Sequence, residues 1–251
     1  MSEEIRRYFS VLHERINQLF VVNEKNLGKA AEICADALSD KKVIHIYDTG
    51  HIISHEMIVR TGGLVAYTHL SFEGMLDNHN LWRETQFKKP LPEKQLETEK
   101  ALIEWVIGQG TIQKGDVLII GSVSGVGMRL IELALQAKKL GLSVLAITST
   151  SFSSKLTSKH PSGKHLYEVA DVVLDNVADY GDSFFEITGI EKKVVPVSGI
   201  SSVVLMWSLT VGIVGCLAAR GVQPSIYESI NLPEGQKLVE KTESDYREKG
   251  F

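Results

Sequence analysis

Five short apolar runs constrain this chain more than any other feature of it. They are Val43–Tyr47, Leu64–His69, Asp116–Gly121, Ser143–Thr148 and Asp171–Asp175. Each is nearly continuous Val, Ile and Leu, the pattern of strands covered on both faces. Between them lie helical stretches at 98–109 and 126–140, and a third at 199–219 follows the last. This alternation predicts an α/β fold built on a doubly wound, parallel five-stranded sheet.

Two apolar series precede the first strand. Ile5, Tyr8, Phe9, Leu12, Ile16, Leu19 and Phe20 recur at three- and four-residue steps, and Leu27, Ala30, Ala31, Cys34, Ala37 and Leu38 follow the same rule. They predict two N-terminal helices in a segment 1–40 that packs on the sheet or on a second copy of the chain, with a ligand-binding domain over 41–251. Phe72–Gln95 breaks the rhythm: it is polar, holds Pro90 and Pro92, and reads as an insertion or lid. From Val194 to Ala219 no residue is charged, which is long enough to span a bilayer. The stretch is interrupted by Pro196, Ser198, Gly199, Ser201, Ser202, Ser208, Thr210, Gly212 and Gly215. A buried core or dimer-interface helix is therefore expected, with no membrane contact.

A net charge of −4 lacks the basic surplus that a phosphate-backbone binder needs, so nucleic acid is not an expected partner. Cys34 and Cys216 sit in apolar helical settings and read as buried thiols, with no disulfide framework or metal spacing. The first residues start acidic and lack an apolar core, so no signal peptide is read there and a cytoplasmic location is expected.

In open α/β sheets ligands bind beyond the carboxyl ends of the strands. Three such ends are rich in hydroxyls and glycine: Asp48-Thr49-Gly50-His51, Ser122-Val123-Ser124-Gly125, and Thr148-Ser149-Thr150-Ser151 continuing to Ser153-Ser154. Hydroxyls and backbone N–H groups at a helix N-terminus suit an anion. One such turn is most simply a helix cap; three converging turns point to a phosphate. Other motifs fail. Gly125-Val126-Gly127 is followed by Met128-Arg129-Leu130, so the third glycine of a dinucleotide fingerprint is missing, and no P-loop sequence occurs. Val123 stands where a nucleophile elbow needs serine.

The S-x-S-G turn after the third strand, the T-G-x turn after the first and the Ser/Thr-rich turn after the fourth resemble the SIS family of phosphosugar isomerase and phosphosugar-binding domains. Gly50-His51 through Glu56, Arg60 and Gly62-Gly63-Leu64 are similar to a subgroup named for phosphoheptose isomerase or simply for its sugar isomerase domain. So are Ser158-Lys159-His160-Pro161-Ser162-Gly163-Lys164-His165-Leu166-Tyr167, Ala170-Asp171-Val172 and Leu174-Asp175-Asn176. The resemblance covers nearly the whole chain. It implies a three-layer αβα sandwich of flavodoxin-like topology, a homodimer or higher oligomer with sites near the subunit interface, and a phosphorylated sugar as ligand. Thr49, Gly50, Ser122, Ser124, Gly125, Thr148, Ser149 and Ser151 would then surround the phosphate. Two residues depart from the family pattern: Val123 replaces a polar residue, and Gly127 stands where a hydroxyl or amide often grips the phosphate.

Aldose–ketose isomerisation through an enediol needs a base to move a proton between neighbouring carbons and an acid to open or polarise the sugar. Glu56, about two turns into the helix after Thr49-Gly50, is the preferred base. Its plain alternative is a solvated helix carboxylate, or one paired with Arg60 at i+4. His51, at the turn itself, is the candidate acid. Glu228 is a second carboxylate candidate with Asn231 nearby, because SIS isomerases often draw such a residue from a C-terminal segment. His51 and His55 lie one helical turn apart and could hold zinc, as some phosphoheptose isomerases do, but no third ligand is evident and neither metal nor cofactor is assigned. Asp175-Asn176 and Asp179–Asp182 read as turns and caps. The expectation is a cytoplasmic sugar-phosphate isomerase; a non-catalytic phosphosugar sensor and an etherase of the muramic acid 6-phosphate type are the alternatives.

Overall fold

The computed structural model describes residues 3–50, 53–73, 82 and 92–251. His51, and most of the segment expected to form an insertion or lid, lie outside the described residues. The chain runs α1 (Glu3–Ser39), β1 (Ile44–Asp48), α2 (Ile53–Met57), β2 (Tyr67–His69), α3 (Pro92–Gly108), β3 (Val117–Gly121) and α4 (Met128–Leu140). It continues through β4 (Ser143–Thr148), α5 (Thr150–Ser153), α6 (Leu166–Val169), β5 (Val172–Asp175), β6 (Ser183–Phe185), β7 (Val194–Pro196), α7 (Ser198–Ala219) and α8 (Gly235–Lys249).

Five strands form one parallel sheet in the order β2-β1-β3-β4-β5. Side chains alternate across it. Ile44, Ile46, Val117, Ile119, Leu145, Ile147, Val172 and Leu174 face a core closed by α1, α2 and α7. Tyr47, Leu118, Ile120, Val144 and Ala146 face a second core closed by α3, α4 and α6. This is the expected α/β architecture, helices on both faces of a doubly wound parallel sheet. The strand order reverses between β1 and β3, the position at which such sheets open a crevice.

The N-terminal residues form one 37-residue helix, where two helices were predicted. The polar stretch between the two apolar series is not a break. Asn23 is fully buried; its amide donates to the carbonyls of Leu19 at 2.9 Å and Asp175 at 2.8 Å, and its oxygen accepts from Asp175 N–H at 2.7 Å. Asn26 donates to the Val173 carbonyl at 2.9 Å and Lys29 to that of Asp171 at 3.0 Å. These side chains cover the open edge of β5, whose backbone groups would otherwise lack partners. The apolar series on either side then belong to a single rod. Its second half lies against α7, and an added Cβ at Gly212 would sit only 2.8 Å from that of Ala31. Along its first half Ile5, Phe9, Ile16 and Phe20 remain exposed.

β2 is shorter than expected. Leu64, predicted to begin it, makes an antiparallel bridge to Ile226 instead. The β6–β7 hairpin and α8 were not predicted; α8 is mostly polar, and Gly235 is its one buried residue. α7 is long and apolar enough to cross a membrane by length and composition, with a mean hydropathy of 2.0. Its Leu205, Met206, Leu209, Ile213 and Leu217 are buried against α1 and the sheet, and Thr210 bonds the Tyr67 hydroxyl at 2.8 Å. Cys34 is buried, and burial pushes its thiol far above the usual range. Cys216, expected to be buried as well, is only partly so and donates to Glu32 Oε1 at 3.4 Å.

If α1 holds the edge of β5 through Asn23, replacing it removes three hydrogen bonds and strands a buried peptide. Asn23→Ala is expected to cost about 2–3 kcal/mol, read as a lower urea midpoint at unchanged slope. An unchanged midpoint would show that the edge needs no cover.

Candidate functional site

The turn from Ser122 to Gly127 joins β3 to α4 at the carboxyl edge of the sheet, beside the strand-order reversal. Three of its backbone carbonyls turn inward. That of Val123 accepts from Thr148 Oγ1 and from Ser149 N–H, both at 3.0 Å. The Gly125 carbonyl accepts from Leu166 N–H and that of Val126 from Lys159 N–H, each at 2.9 Å. Gly127 precedes α4 and offers no side-chain cap. Among the described residues, the N–H groups from Ser124 to Leu130 therefore have no acceptor. An unbroken row of amide donors at the start of a 13-residue helix is an anion-binding arrangement, because the helix dipole adds to the donors' own polarity.

Alternation along the turn separates its side chains. Val123 points into a small apolar cluster with Ala178, Phe184, Phe185 and Val197, against which Tyr8 and Val11 of α1 pack. Val123 is thus a core residue, which explains the first departure from the family pattern. The hydroxyls of Ser122 and Ser124 have no partner among the described residues. Gly125 takes a φ of 58°, and a Cβ there would meet Thr148 Oγ1 at 2.9 Å and Leu166 Cβ at 3.2 Å. Only glycine suits both the left-handed backbone and the close approach of the two turns. At Gly127 a Cβ would press on Leu130 Cδ2 at 2.9 Å, so a serine there would need Leu130 to move.

The β4 turn supports its neighbour. Thr148, Ser149 and Ser153 are all buried. Ser149 Oγ donates to the Ala178 carbonyl at 2.7 Å and accepts from Phe152 N–H at 3.2 Å. Thr150 Oγ1 is bonded to Asp175, which also accepts from Val177 N–H at 2.8 Å. Ser151 is exposed, 3.3 Å from Ser149 Oγ. The Ser153 hydroxyl has no partner, although it would lie 3.4 Å from a Cβ on Gly125. The loop behind the turn is held by a buried pair, His160 Nε2 to Glu132 Oε2 at 3.0 Å. Ser162 N–H donates to His160 Nδ1 at 3.1 Å, so in its neutral form His160 carries its proton on Nε2, toward Glu132.

The β1 turn lies alongside. Thr49 N–H and Oγ1 both donate to the Gly121 carbonyl, at 3.1 and 3.3 Å. Asp48 accepts from Gly50 N–H at 2.9 Å and Ser54 N–H at 3.2 Å, which folds the chain into α2. Glu56 on α2 keeps about a quarter of its side chain exposed and pairs with Arg60 Nε at 3.3 Å. Glu228 is exposed and lies elsewhere: Tyr227 and Ser225 bond the backbone of Gly62, Gly63 and Val65, beside the amino end of β2. The fold therefore gathers Thr49, Gly50, Ser122, Ser124, Gly125, Thr148, Ser149, Ser151 and Glu56 at one edge, while Glu228 stands apart. Among the described residues no group of three His, Cys, Asp or Glu could hold a metal.

Arg129 was not singled out from the sequence. It occupies the first turn of α4 and forms a two-pronged pair with Glu99 of α3 at 2.7 and 3.1 Å. Its guanidinium lies 5.7 Å from the centre of the Phe72 ring, which stacks on Tyr47. Burial raises the Tyr47 pKa and the nearby Arg129 opposes that rise. A cation in the first turn of a helix runs against the dipole; that misplaced charge was the available signal.

A model described as the SIS domain matches residues 7–149. A UPF0309 protein of Shouchella clausii is 29% identical over 245 residues, covering 94% of each chain. One from Oceanobacillus iheyensis is 26% identical and covers 97% of each. Among solved structures, phosphoheptose isomerase GmhA from Neisseria gonorrhoeae superposes with a TM-score of 0.52 at 16% identity, over 84% of this chain and 97% of that one; this likeness concerns the fold alone. With more than half of its length matched by the family model, and the sheet order and turns described above, the chain belongs to the SIS domain family.

Proposed function

We propose that this protein binds a phosphorylated sugar and interconverts its aldose and ketose forms through an enediol. One observation carries the binding half: the carbonyls of Val123, Gly125 and Val126 are engaged by the neighbouring chain, while a row of N–H groups and the Ser122 and Ser124 hydroxyls have no partner among the described residues at an uncapped helix. A phosphate dianion supplies acceptors for such a set. Ser151, exposed on the β4 turn, adds a hydroxyl from the other side. Thr49, Thr148 and Ser149 act differently, since their hydroxyls are already bonded and hold the turns in register.

The catalytic half rests on Glu56. β1 is the direct neighbour of β3, so the chain that leads into α2 leaves the sheet one strand spacing, about 5 Å, from the phosphate turn. A carboxylate there takes the proton from the carbon next to the carbonyl and returns it to the neighbouring carbon. Arg60 pairs with Glu56 at 3.3 Å and orients its carboxylate. His51, next in the chain to Gly50, is the proposed acid that opens the ring.

A thermal-shift series with sugar phosphates tests both halves, because a ligand of the native state raises the melting temperature by mass action. At least one sugar phosphate should stabilise the wild type. The double substitution Ser122→Ala/Ser124→Ala should lower its affinity more than tenfold, since hydrogen bonds to a charged group are worth roughly 1.5–3 kcal/mol each. Glu56→Gln should leave the shift intact and lower turnover by about 100-fold or more. A shift indifferent to both serines would remove the binding half; undiminished turnover in Glu56→Gln would remove the base.

The exposed apolar residues of α1, Ile5, Phe9, Ile16 and Phe20, are proposed to be covered by a second copy of the chain. Sedimentation should then return at least twice the 27.8 kDa chain mass; a monomer at micromolar concentration would contradict this.

A further inference from the structure

Two carbonyls of the serine turn are held from a single loop. Lys159 N–H donates to Val126 and Leu166 N–H to Gly125, each at 2.9 Å, so whatever seats the loop 158–166 also aims the turn. The loop first closes on itself. Ser158 Oγ donates to the Lys164 carbonyl at 2.6 Å and accepts from His160 N–H at 3.1 Å, and Gly163 N–H donates to the His160 carbonyl at 2.9 Å. Ser162 places both its N–H and its Oγ on His160 Nδ1, at 3.1 and 2.7 Å. With Nδ1 occupied as an acceptor, the imidazole presents Nε2 to Glu132 at 3.0 Å.

Glu132 stands one turn into α4, the helix whose amides open the candidate site. Its other oxygen accepts from Gln136 Nε2 at 2.7 Å, so the carboxylate is already held where His160 meets it. Apolar packing does not seat the loop on this side: a cavity of about 550 Å³ is lined by Met128 at the helix start and by Ser158, Lys159 and His160 on the loop. Glu132 and His160 are nevertheless buried, at 2% and 6% exposed. Desolvation offsets much of the attraction within a buried ionisable pair, which makes it a poor source of stability. What it can supply is a single arrangement of the parts it joins.

We infer that Glu132 and His160 are positioning residues for anion binding: their hydrogen bond seats the loop so that Lys159 and Leu166 reach the turn, which keeps the amide donors of the turn aimed outward. This rests on the phosphate reading of the serine turn. The link between carbonyl and donor is the peptide plane itself. In a trans peptide the C=O and the next residue's N–H point in opposite directions and rotate together. Pinning the Gly125 and Val126 carbonyls inward therefore turns the Val126 and Gly127 N–H groups the other way. The pair acts through those two peptides and needs no contact with the anion.

The test is a titration of the full chain with inorganic phosphate, followed on the backbone amide resonances of Ser124–Leu130, with melting temperature measured in parallel. In wild type these resonances should shift saturably. Glu132→Leu removes the acceptor while filling its space, and His160→Asn keeps an acceptor for Ser162 N–H but is too short to reach Glu132. Each should weaken phosphate binding at least about fivefold, because the donors are no longer preorganised. Glu132→Gln still accepts from Nε2–H and should bind within about twofold of wild type. Leu217→Ala, a core truncation on the opposite face of the sheet, should lower the melting temperature and leave phosphate affinity unchanged. Unchanged affinity in Glu132→Leu or His160→Asn would overturn the inference and leave the serine turn standing. So would a loss in Glu132→Gln equal to that in Glu132→Leu, or a loss in Leu217→Ala as large as theirs. Wild-type amides that ignore phosphate would remove the phosphate reading, and the inference with it.

Discussion

The carbonyl of Val123 is the pivot of the site. It receives Thr148 Oγ1 and Ser149 N–H together, and that double acceptance ties the turn after β3 to the turn after β4. Once the carbonyl faces inward, the Val123 side chain goes into the apolar cluster under α1 and the two flanking serines are left outside it. Gly125 follows from the same constraint, since the turns approach too closely there for a side chain. The site is the outer surface of a packing problem solved beneath it. A polar residue at 123 would place an unsatisfied group among Phe184, Phe185 and Val197, at a cost of order 1–3 kcal/mol.

Electrostatics complete the picture. An uncapped helix start carries partial positive charge, and the ordinary remedy is a capping side chain. At α4 that remedy is absent. Arg129 adds a full positive charge to the same turn, and Glu99 balances it from α3. The pair keeps the cation oriented against Phe72 and Tyr47 without neutralising the backbone donors. A dianion bound there, as proposed, would meet dipoles already held in place by the fold, which would spare it the cost of ordering them.

Much of this was legible in the sequence because it depends on local pattern. Near-continuous Val and Ile runs meant doubly covered strands, and hydroxyls after them meant strand ends. What was missed depends on partners distant in the chain. Asn23, Asn26 and Lys29 look like a helix break until β5 stands beside them with its edge open. Leu64 reads as strand until Ile226 pairs with it. Ser122, Thr148 and Ser149 are alike in sequence, yet one hydroxyl is free and two are committed to the scaffold. The spacing of Glu56 and Arg60 pointed to their pairing, and the pair is formed. α8 gave no apolar signal because it buries so little.

The central claim is that an anion sits on the row of N–H groups that begins at Ser124. A crystal structure of the chain with fructose 6-phosphate tests it most directly. The account predicts the phosphorus over the first turn of α4, with phosphate oxygens within hydrogen-bond distance of Ser122 Oγ, Ser124 Oγ and at least two of the backbone amides from Ser124 to Leu130. A sugar phosphate bound away from that turn, or one that meets it through its hydroxyls with the phosphate in solvent, would contradict it.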